Sequence, residues 1–126
     1  MDDQGIPSGR VLAANDNLLD FSMPKTIGSA SEGIDHYFCF DHDRDPKSPV
    51  AELTSHSGLA LTVYSDQPGA QVYSVYELTK PRRASRGVCI EPSGYPNAPN
   101  ISSFPSIIYT PENPYRQELI LEVSEE

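Results

Sequence analysis

The sequence lacks the features that mark several broad classes of protein. It contains no tryptophan and only two methionines and two cysteines in 126 residues, and 9 lysines and arginines stand against 18 aspartates and glutamates. The formal net charge of −9 argues against nucleic-acid and anionic-membrane partners, because the surfaces that bind them are basic. No apolar run reaches the length of a transmembrane span, and no charged-then-apolar signal peptide opens the sequence.

The two cysteines bear on the cellular compartment. Cys39 and Cys89 each lie inside an apolar, strand-like run. Free cysteines in such runs usually behave as small buried hydrophobes, which favours a reducing compartment. We therefore predict a cytoplasmic protein, although the sequence leaves a disulfide between the two residues open.

Turn-forming residues are abundant, with 12 prolines and 8 glycines, and no segment shows a sustained helical period of apolar residues. Short apolar or alternating segments recur between turns, which is typical of antiparallel strands. We predict an all-β protein, an antiparallel β-sandwich with few helices, in which residues 1–30 form an extended lead-in. The predicted strands are 37–40, 50–53, 59–64, 71–76, 88–90 and 116–123, with a further apolar segment at 106–109 and a basic loop at 80–86.

One carboxylate is singled out by its position. Glu91 follows the predicted buried strand 88–90, and Pro92 comes directly after it. Proline cannot donate to a sheet ladder, so we expect the strand to stop or leave the sheet there. A carboxylate at such a strand end has rigid support and an open side, which suits a general base or a ligand-binding acceptor. The alternative is an ordinary glutamate that points into water.

Four sequence blocks carry a family resemblance. They are Ile6-Pro-Ser-Gly9 with Leu19-Asp-Phe21 and Pro24-Lys-Thr-Ile-Gly28, then Gly33-Ile-Asp-His36, then Asp66-Gln-Pro-Gly-Ala-Gln-Val-Tyr-Ser74, and finally Gly87-Val-Cys-Ile-Glu-Pro-Ser-Gly-Tyr-Pro-Asn-Ala-Pro-Asn100 with Phe104-Pro-Ser106. In this order and spacing they resemble the aldose 1-epimerases (galactose mutarotases). The resemblance implies that residues 1–126 are the carboxy-terminal part of a single domain of that family. It also implies part of a galactose mutarotase-like supersandwich, with the sugar site on a concave sheet face.

The resemblance implies a reaction and three site residues. Aldose 1-epimerases interconvert the α and β anomers of free hexoses such as galactose and glucose. A carboxylate base and an acid on opposite sides of the hemiacetal are sufficient, so no metal or other cofactor is expected. Glu91 matches the family's base, while Asp35 and Gln71 match residues that bind the hexose. None of the three histidines matches the family's general-acid motif.

The resemblance is incomplete in three places, one of them the family's final block, which residues 110–115 echo only faintly, and rival functions stay open. Pro92 and Ser93 replace the residues that usually follow the base, and the link from Tyr73 to Gly87 is shorter than in many members. The rivals are a non-catalytic or vestigial carbohydrate-binding sandwich and, among enzymes, a hexose-6-phosphate 1-epimerase using arginines of the 80–86 loop. We expect little or no turnover by this chain alone, because the acid belongs to an amino-terminal half that is either supplied by another chain or lost. Uncovered apolar faces should make the chain marginally stable, prone to aggregation or paired with a partner.

Overall fold

The described part of the chain folds into six strands that form two antiparallel sheets. The computed structural model describes residues 6–14, 19–27, 33–74 and 87–125. The elements are β1 (Asp35–Cys39), β2 (Ala51–Thr54), β3 (Leu59–Ser65), β4 (Gly69–Tyr73), β5 (Cys89–Ser93), a short 3₁₀-helix (Ala98–Asn100) and β6 (Leu119–Glu125). One sheet has the order β1-β4-β5 and the other β2-β3-β6. The all-β, antiparallel, partial-sandwich prediction is confirmed, and the described part of the chain holds no helix long and apolar enough to cross a membrane.

Most of the predicted strands are present with shifted ends. The predicted hairpin 50–53 and 59–64 is β2 and β3, joined by a turn in which the Gly58 N–H donates to the Ser55 carbonyl at 3.1 Å. Gly58 has φ of 83°, a conformation that glycine adopts without steric cost. Segment 106–109 forms no strand. The end of the predicted strand 71–76 and the basic loop 80–86 lie outside the described residues.

The prediction that the strand carrying Glu91 stops at Pro92 is wrong. β5 continues through Pro92 to Ser93, and Pro92 lies opposite Ala70 on β4. In an antiparallel pair, successive residues direct their backbone N–H and C=O groups alternately toward and away from the partner strand. At Pro92 these groups face away from β4, and the Pro92 carbonyl accepts a hydrogen bond from Gln117 Nε2 at 3.1 Å. The missing N–H therefore costs no ladder bond, because β5 is the edge strand of its sheet in the described fold.

Few side chains are fully buried. The buried apolar residues of the described ranges are Ile34, Ala60, Val63, Ala70 and Ala98, three of which are alanine. Val63 is 2% exposed, whereas Leu121 and Val123, on the same face of the neighbouring strand β6, are 58% and 67% exposed. The apolar face of the β2-β3-β6 sheet is thus only partly covered.

The cysteines do not form a disulfide. Both are free and half-buried, on β1 and β5. Strand β4 lies between β1 and β5, which separates their backbones by about 9–10 Å. A disulfide requires Cα atoms closer than about 7 Å, so this geometry excludes one.

An arginine connects the charged turn 41–47 to the turn that enters β4. The Arg44 guanidinium donates through Nη2 to the carbonyl of Ser65 at 2.7 Å and to that of Gln67 at 3.4 Å. Its face lies over the Phe40 ring, with 5.5 Å between the guanidinium carbon and the ring centroid. Arg44 therefore stabilises the turn from which β4 starts.

Replacing Arg44 with alanine is expected to lower the free energy of unfolding by about 1.5–3 kcal/mol, because charged hydrogen bonds to two partly buried carbonyls are lost. Urea denaturation followed by circular dichroism measures the change. Arg116→Ala is the matched control, since Arg116 is exposed. Equal losses in the two variants would show that the Arg44 contacts contribute nothing specific.

Candidate functional site

The β1-β4-β5 sheet brings the three predicted site residues onto one face. Successive side chains of a strand alternate between faces, so the register determines which residues share a face. Gln71 on β4 lies directly opposite Glu91 on β5, and Tyr37 on β1 lies opposite Gln71 on the other side. Asp35 precedes Tyr37 by two residues and so shares its face. Asp35, Gln71 and Glu91 therefore line the same side of three adjacent strands.

Asp35 and Gln71 form a direct hydrogen bond. Gln71 Nε2 donates to Asp35 Oδ1 at 2.6 Å. This bond aims the carboxylate of Asp35 and leaves its second oxygen available to accept from a ligand hydroxyl. Both Asp35 and Glu91 are exposed, whereas Gln71 is half-buried. The pair is thus a pre-arranged polar surface open to solvent.

Glu91 is not engaged by its neighbours. Within the described ranges its carboxylate has no hydrogen-bond or ion-pair partner, although Gln71 stands across from it in the ladder. The amide of Gln71 is directed to Asp35 instead. Both carboxylate oxygens of Glu91 are therefore available to accept a proton or a hydroxyl.

An aromatic cluster, which the sequence analysis did not single out, adjoins the polar residues. Tyr37 packs edge-on against Tyr95 with ring centroids 5.4 Å apart, and Tyr95 packs against Phe104 at 4.9 Å. A hydrogen bond with the Cys39 thiol, together with burial, raises the pKa of Tyr95 to about 12. Burial raises the pKa of the Tyr37 phenol as well. Strand alternation from Asp35 to Tyr37 was the available signal for Tyr37. Tyr95 lies inside the family block 87–100, but no periodicity there places its ring beside that of Tyr37.

None of the three histidines lies beside Glu91, although His36 Nδ1 accepts a hydrogen bond from the backbone N–H of Asp35 at 3.2 Å. His36 falls between Asp35 and Tyr37 on β1, so its side chain belongs to the opposite face of the sheet. His42 lies in the turn 41–47, and His56 lies in the turn between β2 and β3. No histidine of this chain therefore shares the sheet face of Glu91.

The fold and this arrangement agree with a family match. Residues 1–122 match the family model described as aldose 1-epimerase, and the chain belongs to that family. Among curated relatives it is similar to galactose mutarotase of Sus scrofa, at 27% identity over 128 residues, which cover 91% of this chain and 37% of the relative. Galactose mutarotases of Rattus norvegicus and Homo sapiens match with the same identity and coverage. The chain thus spans 37% of the length of these relatives.

Proposed function

We propose that the sheet face bearing Asp35, Gln71 and Glu91 is the base-bearing side of an aldose 1-epimerase site for free hexoses such as galactose and glucose. The observation that carries the proposal is the 2.6 Å bond from Gln71 to Asp35 beside an unengaged Glu91, in a chain of this family. A neutral sugar is bound by a few fixed hydrogen-bonding groups, and the linked Asp35 and Gln71 are of that kind.

The proposed chemistry is proton transfer at the hemiacetal. Glu91 removes the proton of the anomeric hydroxyl while an acid protonates the ring oxygen, so the C1–O5 bond breaks and the aldehyde forms. Rotation about C1–C2 followed by the reverse transfers closes the ring as the other anomer. Asp35 and Gln71 hold the sugar hydroxyls during this rotation, so that the open-chain sugar stays bound until its ring closes again. Each step conserves protons between the sugar, the base and the acid.

The acid is the part that these residues do not provide. No histidine shares the Glu91 face, and the raised pKa values of Tyr37 and Tyr95 suit neither phenol to proton donation near neutral pH. We assign the acid to the portion of the family fold outside these 126 residues. The same portion would cover the exposed apolar residues of β6. An amino-terminal part of the family fold would supply both.

A second function has one observation in its favour. A carbohydrate-binding sandwich without catalysis needs Asp35 and Gln71 but no acid, and these two residues already form their hydrogen bond in the single chain. The hexose-6-phosphate alternative depends on Arg82, Arg83 and Arg86, which lie outside the described residues. The two sugar-directed functions differ in whether Glu91 accelerates anomer exchange.

Polarimetry of freshly dissolved α-D-galactose and α-D-glucose with the purified chain is expected to match the buffer rate, because the acid is missing. Titration of the same sugars into isotopically labelled chain, followed by NMR, is expected to shift the signals of Asp35, Gln71 and Glu91 with affinities of about 1 mM or weaker.

Of two informative results, the first would overturn the assignment of the acid to a part of the fold outside these residues, and the second would contradict the proposed sugar site. Acceleration that disappears in Glu91→Gln but persists in Glu52→Gln, a change of an exposed glutamate on β2, would show that the chain holds its own acid. Absence of any sugar-induced shift at Asp35, Gln71 and Glu91 would show that this face does not bind free hexoses.

A further inference from the structure

Tyr37 lies on the candidate site's sheet face, on the edge strand β1, without a role in the chemistry above. It stands in one row with Gln71 and Glu91, on the β1 side of Gln71. Its ring is half-buried, and its edge-on contact with Tyr95 fixes one side of it. Tyr37 thus shares a row with two proposed site residues, and its phenol contacts the strand that carries one of them.

The phenol of Tyr37 crosses the sheet. Its hydroxyl donates to the Ser93 carbonyl at 2.7 Å, so a residue of β1 bonds the backbone of β5 over the top of β4. The crossing requires glycine at position 69, since a Cβ there would lie 2.5 Å from the Tyr37 hydroxyl oxygen and 2.6 Å from Cε1. Because burial raises its pKa, the phenol keeps its proton and stays a donor at neutral pH.

This bond holds the strand segment that carries Glu91. Ser93 lies two residues after Glu91, and Pro92 between them restricts the backbone. The Pro92 carbonyl is held from the outer side by Gln117, and Ser93 is held from the inner side by Tyr37. Two hydrogen bonds from opposite directions thus hold the residues directly after the proposed base.

Tyr37 also lies directly beside Gln71 in the strand register. Two backbone hydrogen bonds flank the β1–β4 ladder. The Ser74 N–H donates to the Ile34 carbonyl, and the Phe40 N–H donates to the Pro68 carbonyl. The ladder bonds from β1 to β4 are therefore made by the even-numbered residues of β1. Tyr37 and Gln71 therefore form a non-hydrogen-bonded pair, in which facing side chains are closest. The Tyr37 phenol lies over Gly69, two residues before Gln71 on β4, whereas the Gln71 amide is directed the other way along the sheet, to Asp35.

We propose that Tyr37 is a positioning residue of the sugar site, which holds Glu91 and the Asp35–Gln71 pair at a fixed spacing through the Ser93 carbonyl and the Gln71 side chain. The inference rests on the proposed function for its purpose. The orientations of Gln71 and of the segment after Glu91 do not depend on sugar binding, so they can be measured without a ligand.

The test is NMR of the labelled chain with Tyr37→Phe, which keeps the ring and its contact with Tyr95 but removes the hydroxyl. We expect the Gln71 side-chain amide and the backbone amides of Ser93 and Gly94 to shift, and galactose to bind about three- to tenfold more weakly. Tyr64→Phe is the matched control, because Tyr64 also donates one cross-strand hydrogen bond, to Glu122 Oε2 at 3.1 Å in the other sheet. It should leave these signals and the galactose affinity unchanged.

The outcomes separate this inference from the proposed function. Unchanged Gln71 and Ser93 signals in Tyr37→Phe would overturn the positioning role, whatever the chain binds. Shifted signals in a chain that shows no response to galactose would support the geometric role and contradict the proposed function. Equal weakening of galactose binding in Tyr37→Phe and Tyr64→Phe would reduce Tyr37 to a contributor to general stability and also overturn the inference.

Discussion

Glu91→Gln is expected to reduce mutarotation about 10²–10⁴-fold once the rest of the site is present, because a general base typically contributes that factor. A chimera in which residues 6–125 replace the aligned segment of Sus scrofa galactose mutarotase supplies the portion of the family fold that this chain does not span. The kcat of the chimera for α-D-galactose, measured by polarimetry, is the quantity to compare. Glutamine keeps the size of the side chain and removes only its ability to accept a proton.

The control for this prediction is Glu52→Gln in the same chimera. Glu52 is an exposed strand glutamate in the other sheet, so the same chemical change there should leave kcat unaltered. A Glu91→Gln chimera that retains a tenth or more of the parent kcat would remove Glu91 from the role of base. The face would then be better explained as a binding surface.

Gly69→Ala is expected to cost about 3 kcal/mol of unfolding free energy, at the upper end for overpacking a folded interior. The new Cβ would lie 2.5 Å from the Phe38 carbonyl oxygen and 2.5 Å from the Tyr37 hydroxyl oxygen. The first of these atoms is backbone within the β1-β4 ladder, so relief requires the two strands to separate. Urea denaturation of the variant and the parent gives the difference.

Gly94→Ala is the comparison that isolates the cause of this loss. A Cβ there would also lie close to a neighbour, 2.6 Å from Ile107 Cγ2, but that atom belongs to a side chain that can rotate. We expect a cost of about 1 kcal/mol. If Gly69→Ala is tolerated as well as Gly94→Ala, then Tyr37 does not need the space above Gly69, and its bond to Ser93 is not a fixed feature of the sheet.

The shared face of the candidate site was only partly predictable from the sequence. Gln71 falls inside the predicted strand 71–76, whereas Asp35 and Glu91 lie just outside the predicted strands 37–40 and 88–90, and it is the family resemblance that selects these polar residues from others. The strand register was not predictable, because it depends on pairing between residues far apart in the chain. It is the register that places Gln71 between Tyr37 and Glu91.

The sequence pattern of a single strand does not reveal what lies next to that strand in the fold, as Pro92 and β6 show. Pro92 indicates a strand end only if its nitrogen faces a partner strand, and at an edge strand the nitrogen faces outward. The alternation of Leu119, Leu121 and Val123 assigns them to one face of β6, but it cannot say whether that face is covered. Cover depends on what packs against the sheet, which is a property of the whole fold. The result is an apolar stripe that is mostly exposed.

The way the site is assembled across three strands has a consequence for the order of folding. The β2–β3 hairpin closes through a short turn, so it can form early at little entropic cost. The bond between Asp35 and Gln71 joins residues 36 apart in the chain, and that between Tyr37 and Ser93 joins residues 56 apart. Contacts of such high contact order form late. We therefore expect partly folded chains to contain the hairpin long before they contain the face that carries Glu91.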